Sequence, residues 1–329
     1  MNIAVVILNW NGKELLAQFL PNVLKYSDDA TIYVADNASA DDSIDYVRAN
    51  YPTVNIIENA ENGGYAKGYN DALPFVEEDI FCLLNSDIEV TENWLAPIQS
   101  EFENHPETAI IQPKILDFKQ KTHFEYAGAA GGFIDKYGYP FCRGRIFHTL
   151  EEDNGQYNDT KEIFWASGAC LFIRKSVFEE LNGFDADFFA HQEEIDLCWR
   201  AFNKGYKATY ISESVVYHVG GATLDSTSPQ KTYLNFRNSL CMLAKNLPKG
   251  KLFATIFSRL VLDGIAAIQF LVQLKFSHFL AVIKAHFHFY ARLSKMKNKR
   301  AKSQQKQYFQ HKSIVYSYFI KGKKLFSEL

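Results

Sequence analysis

Over the first 116 residues, short β-rich apolar runs alternate with segments whose apolar residues recur every three or four positions. Residues 3–8 read as a strand, and Leu15, Leu16, Phe19, Leu20, Val23 and Leu24 then mark one face of a helix that Pro21 breaks or bends. Strands are expected at 31–35, 54–57, 80–84 and 109–116, with helices around 41–50, 66–76 and 92–104 between them. This alternation predicts βαβ units: an α/β fold with a Rossmann-like, mostly parallel sheet and helices on both faces. From 117 to 157 Gly, Tyr and Phe crowd together without a clean period, as in a loop or short antiparallel strands covering a site. Regularity returns with 163–174, a helix over 175–181, a helix through 199–204 and a strand at 208–211.

After Leu247-Pro248-Lys249-Gly250 the character changes. Leu252, Phe253, Ile256, Phe257, Leu260 and Val261 fall at helical spacing, and apolar residues continue to about Leu293, interrupted by Arg259, Asp263, Lys275, Lys284 and Arg292. The longest charge-free stretch there, 264–274, is well short of the ~20 residues that span a bilayer. A helix lying in the interface is therefore expected rather than one that crosses. The organisation expected is a catalytic unit over 1–245, with halves at 1–116 and 117–245, and a basic, amphipathic helical extension over 246–329.

Composition narrows the class. With 47% apolar and 22% charged residues and no long Pro, Gly, Ser or Gln tract, the 329-residue chain is a folded protein. Cys82, Cys142, Cys170, Cys198 and Cys241 lie far apart with no CxxC pair, which excludes a zinc framework or disulfide scaffold and suits a reducing compartment. The N-terminus lacks the basic region and apolar length of a signal peptide. The net charge of −3 conceals an asymmetry: from Lys245 onward 17 Lys and Arg face two acids, whereas the preceding 244 residues carry 18 basic and 36 acidic side chains. An acidic body with a basic tail directs the tail toward a polyanion. An apolar helical face needs a hydrophobic partner, so an anionic membrane surface is expected there and nucleic acid is not; packing on the catalytic unit or between subunits is the alternative.

In an open parallel sheet ligands bind beyond the carboxyl ends of the strands. Three polar clusters would converge there: Asn9-Trp10-Asn11-Gly12, Asp36-Asn37-Ala38-Ser39 and Asn85-Ser86-Asp87. Taken singly, Asp36 and Ser39 read as helix caps and Asp87 as a turn residue. Asn62-Gly63-Gly64-Tyr65-Ala66-Lys67-Gly68-Tyr69-Asn70 is a glycine-rich helix entry that suits close approach to a phosphate or base, or simply a turn needing positive φ. It is neither a dinucleotide fingerprint nor GxxxxGK[ST]. His191-Gln192-Glu193-Glu194-Ile195-Asp196 places three carboxylates in four residues at a helix start. They are either solvated acids complementing the helix dipole or a general base poised near neutral pH. His218 stands before the glycine pair Gly220-Gly221, where a hydrogen-bonded structural role is the plain reading.

In their order along the chain, VVILNWNG, VADNAS, NxGGYAKGYN, LLNSD, WASGACLFIRKSVFEELNGFD, EEIDLCWR and YHVGG resemble the family 2 glycosyltransferases with GT-A fold, particularly the bacterial rhamnosyltransferase-like branch, over about residues 3–240. The resemblance implies transfer of a sugar from a nucleotide diphosphate sugar to an acceptor hydroxyl with inversion, in surface polysaccharide or lipopolysaccharide assembly, on the inner face of the cell membrane. It implies that Asp36 binds the nucleobase, with Leu8 and Asn9 alongside, that Gly64 and Asn70 contact the nucleotide, and that Asn85-Ser86-Asp87 stands in place of the DxD motif. Asp87, aided by His218, would hold Mg²⁺ or Mn²⁺. Glu194 would be the base, with Glu193 and Asp196 as alternatives, and Trp165 and Gly168 would line the acceptor side, a carbohydrate or lipid-linked group. Asn85 for an acid and Glu194 for Asp depart from the family pattern. Arg237-Asn238 matches a pair often seen after the catalytic domain, and a cap or salt bridge explains it equally well. A sugar-phosphate nucleotidyltransferase is a competing class, but it should open with a glycine-rich, arginine-bearing loop where NWNG stands. A degenerate membrane scaffold is the other, against which Asp36 and Asp87 both speak.

Overall fold

The computed structural model describes residues 1–220 and 228–329; Gly221, the second glycine after His218, lies outside them. Strands form where the apolar runs place them: Ile3–Asn9 (β1), Ala30–Asp36 (β2), Asn55–Glu58 (β3) and Ile80–Asn85 (β4), joined by the helices Lys13–Lys25 (α1), Ser43–Asn50 (α2) and Gly64–Ala72 (α3). α1 continues through Pro21. Ile88–Val90 (β5), Ala96–Asn104 (α4) and Thr108–Asp117 (β6) follow. The aperiodic stretch folds into a small antiparallel sheet of Gly132–Ile134 (β7), Pro140–Cys142 (β8), Arg145–Ile146 (β9) and Thr149–Leu150 (β10). Then come Thr160–Ile163 (β11), Cys170–Arg174 (β12), Lys175–Glu180 (α5), Glu193–Asn203 (α6) and Lys207–His218 (β13).

The large sheet has the order β11-β13-β6-β12-β4-β1-β2-β3, with β5 paired to the far part of β13. β1, β2, β3, β4, β6 and β13 run one way, and β5, β11 and β12 run the other. The expected mostly parallel sheet is present, with β12 inserted antiparallel between β4 and β6. Its register, Cys170 opposite Leu84, carries Gly168 and Ala169 to the polar end of β4, where Asn85 N–H donates to the Ala169 carbonyl at 3.0 Å. The sheet's period of two divides the core. Val5 and Ile7 pack with Leu16, Leu20, Ile98 and Phe102 on one face, while Ala4 and Val6 pack with Tyr69, Phe178 and Trp199 on the other. β13 runs seven residues past the expected 208–211 strand, across an irregularity between Ile211 and Val215, so that His218 arrives on a strand end.

The C-terminal region consists of Pro229–Asn246 (α7), Lys249–Val272 (α8) and Phe276–Asn298 (α9), followed by irregular chain. It does not stand apart from the rest of the chain. Phe289, Met296, Tyr308, Ile314 and Tyr318 belong to the main core. Ile314 N–H donates to the buried Asp135 carboxylate at 2.9 Å, and the Phe326 ring lies 5.4 Å from that of Phe133. In α8, Thr255, Arg259, Asp263 and Ala267, each four apart, are buried, while Phe253, Phe257, Ile265, Ile268 and Val272 face outward. All five cysteines are buried and unpaired.

Candidate functional site

β1, β2 and β4 end side by side, with Leu8 opposite Asn85 and Asn9 opposite Asp36. Asn9 Nδ2 donates to Asp36 Oδ1 at 3.0 Å and to Ser43 Oγ at 2.9 Å; Asp36 also accepts from the Ser39 hydroxyl and, at 2.9 Å, from its N–H. Asp36 therefore organises the turn after β2 and does not cap α2, whose N-cap position is Asp42. Asn9 Oδ1 is buried without a partner. It points at Gly12, where a Cβ would stand 2.5 Å from it and 3.8 Å from Ser86 Oγ. Leu8 packs under α3, and a Cβ at Gly68 would meet its Cδ1 at 3.0 Å.

The DxD position delivers one acid. Asp87 Oδ1 lies 3.2 Å from His218 Nε2, and its Oδ2 accepts from Gly220 N–H at 3.2 Å. Asn85 Nδ2 lies 3.4 Å from the same ring nitrogen. His218 Nδ1, on the other edge of the ring, is 3.3 Å from Glu125 Oε1, an ion-pair separation without hydrogen-bond alignment. Burial works against charge on His218, but hydrogen bonds and attraction to Asp87 and Glu125 overcome it and hold its pKa at about 10. For Asp87 burial pushes upward and His218 prevails, leaving the carboxyl below its usual range. Among the described residues no three acidic, His or Cys side chains form a ready metal cage. Asp87 and, once a metal displaces its Nε2 proton, His218 would supply two donors on one side, with Glu125 behind the imidazole as a metal-bound histidine's orienting carboxylate would be. The donor set fits a divalent ion completed by phosphate oxygens.

The second cluster opens α6. Phe189, His191 and Gln192 have φ of 66°, 69° and 74°, a left-handed run that non-glycine residues adopt only when held. Asn238 holds it: its Nδ2 lies 3.0, 2.9 and 2.7 Å from the carbonyls of Phe188, Ala190 and His191, and Arg237 donates to Asp187 and Phe188 carbonyls at 3.1 and 2.9 Å. The Arg-Asn pair is thus a brace for the loop that aims Glu193 and Glu194. Burial, then the repulsion of Glu194, pushes Glu193 well above the carboxylate range. Burial raises Glu194 to about 7, against two backbone N–H groups that favour its charge; its side chain keeps some solvent contact. Asp196 differs. It accepts from Lys245 and Arg200, each at 2.8 Å, and from Asn246 at 2.7 Å, and despite complete burial these cations hold it ionised, below its usual range. Both its oxygens are engaged, so it anchors α6 and has no lone pair turned to an acceptor.

Tyr65 links the loop before α6 to the turn that precedes β12. Tyr65 N–H donates to the Phe189 carbonyl at 2.9 Å, and Tyr65 Oη donates to the Gly168 carbonyl at 2.8 Å. Gly64 has φ of 76° and a Cβ there would strike the Phe189 carbonyl at 2.4 Å; one at Gly168 would lie 3.0 Å from Tyr65 Oη. Both glycines thus admit this seam between the halves. Burial raises the Tyr65 phenol, and the charges of Glu193 and Glu194 add to it; the buried Cys142 thiol, raised first by burial, is acted on by Glu125 and Glu194 together.

Two expected site residues have other tasks. Asn70 donates to the Phe184 carbonyl and accepts from its N–H, each at 2.8 Å, so it latches the halves together. Trp165 is buried, donates to the Phe133 carbonyl at 2.8 Å and fills the space over Gly132, so it belongs to the core and does not line an acceptor channel. Glu125 and Arg145 emerge only from the fold. Arg145 is buried against Tyr126, 4.7 Å from its ring, with Cys142 Sγ at 3.3 Å. Its Nε has no partner, and among the described residues no carboxylate pairs with it. Their signal lay in aperiodic chain, where spacing gives no guide to neighbours.

The sequence model for glycosyl transferase family 2 matches residues 4–182. The chain is 24% identical over 72% of its length to the low-salt glycan biosynthesis hexosyltransferase Agl10 of Haloferax volcanii, covering 74% of that protein. It is 23% identical over 65% of its length to the N-acetylglucosaminyl-diphospho-decaprenol L-rhamnosyltransferase of Mycobacterium tuberculosis, covering 75% of it. In fold it resembles S. aureus TarS 1-349 in complex with UDP-GlcNAc (TM-score 0.58, 15% identity, 91% of this chain and 84% of that one). It also resembles GalNAc-T7 with UDP, GalNAc and Mn²⁺ (TM-score 0.59, 16% identity, 76% of this chain), of which it spans 49%. A GT-A sheet, the rim at its strand ends and a family match over more than half its length place this chain in glycosyl transferase family 2.

Proposed function

We propose that this glycosyltransferase moves a sugar from a nucleotide diphosphate sugar to an acceptor hydroxyl with inversion, in glycan assembly at the cytoplasmic face of a membrane. What supports the reading is the presence of a cation-paired carboxylate at Asp87 and of one at Glu194 that meets no cation among the described residues, with Tyr65 bonded both to the loop before α6 and to the Gly168 carbonyl. The Asn9–Asp36 rim would receive the nucleobase. Asp87 and His218 would hold Mg²⁺ or Mn²⁺, which, when bound, supplies positive charge to the departing diphosphate. Arg145 is a further cation with capacity for a phosphoryl oxygen.

Glu194 takes the proton of the acceptor hydroxyl. That oxygen then bonds to the anomeric carbon on the face opposite the donor phosphate, whose C–O bond breaks and leaves with its electrons, inverting the centre. Burial and the neighbouring Glu194 raise Glu193 well above the carboxylate range, which disfavours a second charge beside the base. The name of the mycobacterial relative favours an acceptor carried on a lipid diphosphate and rhamnose as the sugar. Nucleoside diphosphate release from UDP-, GDP- and dTDP-sugars, with Mg²⁺ or Mn²⁺ against chelator, tests the reading. Turnover should vanish with chelator and in Asp87→Ala; turnover indifferent to both overturns the assignment.

A further inference from the structure

A helix in water buries its apolar stripe and shows its polar one. α8 departs from this: Leu252, Ile256 and Leu260 lean on the core, but its fully buried positions are Thr255, Arg259, Asp263 and Ala267. Its buried positions hold an ion pair: Arg259 Nε is 3.5 Å from Asp263 Oδ1, Arg259 donates to the Tyr137 carbonyl at 3.1 Å, and Asp263 accepts from Tyr139 Oη at 3.2 Å. Outward stand Phe253, Val272 and Leu274, 84%, 78% and 75% exposed, and α9 continues the same surface with Phe276, Leu280, Phe287 and Tyr290. Monomers seldom expose a contiguous apolar patch of this kind without a partner.

Part of the basic charge is turned inward. Lys295 and Lys299 are bound to Asp187 and Asp185, Lys245 to Asp185 and Asp196, and Arg300 to the Ala244 and Leu247 carbonyls. These are four of the 17 basic side chains from Lys245 onward, three of them held by the acidic body of the same chain.

We propose that the outward face of α8 and α9 seats the protein in one leaflet of a lipid bilayer by hydrophobic burial, with both helices lying along the surface. By length and composition α8 could cross. Crossing would carry the Arg259–Asp263 pair, at mid-helix, out of its contacts and into hydrocarbon, where charged side chains are costly. Lying flat keeps the pair against Tyr137 and Tyr139 and lets the exposed Lys275 and Lys284 extend to headgroups. A second copy of this chain fits less well. Asp263 is the only acid between Lys249 and Arg300, and it is buried, so a two-fold contact would set Lys275 and Lys284 against their own kind.

This deepens the reading of a lipid-carried acceptor, and the test separates the two. The full chain is floated with vesicles of phosphatidylcholine alone and with added phosphatidylglycerol, at low salt and at about 1 M, where the Debye length is about 3 Å. Nucleoside diphosphate affinity is measured in parallel. Binding to the neutral vesicles should persist at high salt, and Phe253→Glu, Phe257→Glu and Val272→Glu should each weaken it about tenfold or more while leaving nucleotide affinity unchanged. Flotation that needs anionic lipid and fails at high salt would overturn hydrophobic seating. So would a detergent-free dimer that those substitutions dissociate and vesicles do not. Loss of nucleotide affinity in the unmutated chain would count against the glycosyl-transfer reading and leave the seat standing.

Discussion

At the ends of β4 and β13 the Asp87 carboxylate is buried against His218, whereas at the first turn of α6 Glu193 and Glu194 are buried against no cation. Burial is common to both places, and the directions are opposite: Asp87 is held ionised and Glu194 is lifted to about 7. Asp196, two residues beyond Glu194 and more deeply enclosed, is driven down by Lys245 and Arg200. What decides whether an enclosed carboxylate keeps a charge or trades a proton is the cation placed opposite it, and this fold places cations on two of these acids and withholds them from the others.

The sharpest way to break that contrast is to remove the proton acceptor. Glu194→Gln should cut kcat about 10²–10⁴-fold, while Glu193→Gln, which resembles the protonated acid, should retain most activity. The kcat/KM profile of the unaltered enzyme should lose activity below an apparent pKa of about 7. Stability should move the other way. A carboxyl whose folded pKa lies above its unfolded value, near about 4.3, stabilises the fold below that pH and ceases to as pH rises through about 7. Glu194→Gln should therefore raise Tm at pH above 7 and give no gain in acid, as thermal unfolding across pH would report.

Asp196→Asn tests the cation-paired side of the contrast. Leaving Arg200 buried without its charge partner, and Lys245 with Asp185 alone, should cost about 3–5 kcal/mol in denaturant unfolding. Because the Asp196 pKa is depressed, its contribution is present above the unfolded carboxylate range and should fade as pH falls below about 4. The smallest effect is expected at Arg145. Arg145→Met should raise KM for the phosphate-bearing substrate it serves about tenfold with little change in kcat, and separate titration of donor and acceptor identifies which one.

Much of this contrast could be read in the sequence, for a physical reason. Strands end where apolar alternation stops, so the clusters at Asn9, Asp36 and Asn85-Ser86-Asp87 had to meet on one edge once the sheet closed. Glu193 and Glu194 could be found because three acids together at a helix start demand a cation, water or a proton. Glu125 and Arg145 could not, since they lie in chain without a period and gain their neighbours only when β13 runs on to His218 and β8 turns back on β9. Asn70 misled because a glycine-rich helix entry looks the same whether it admits a phosphate or, as here, the backbone of Phe184 over a hundred residues away. The tail misled through its net charge, which says nothing about where its partners are; four-residue spacing of Thr255, Arg259 and Asp263 was the signal that its polar side turns inward.

The backbone of 311–314 returns to Asp135 and Lys136, and Phe326 closes over Phe133 and Phe141. These contacts span more than 170 residues of intervening chain, so the small sheet cannot finish packing while it emerges from a ribosome. The Rossmann-like strands, which need only nearby neighbours, can assemble first, and the acceptor side should be the last part of the enzyme to acquire protection from exchange or protease.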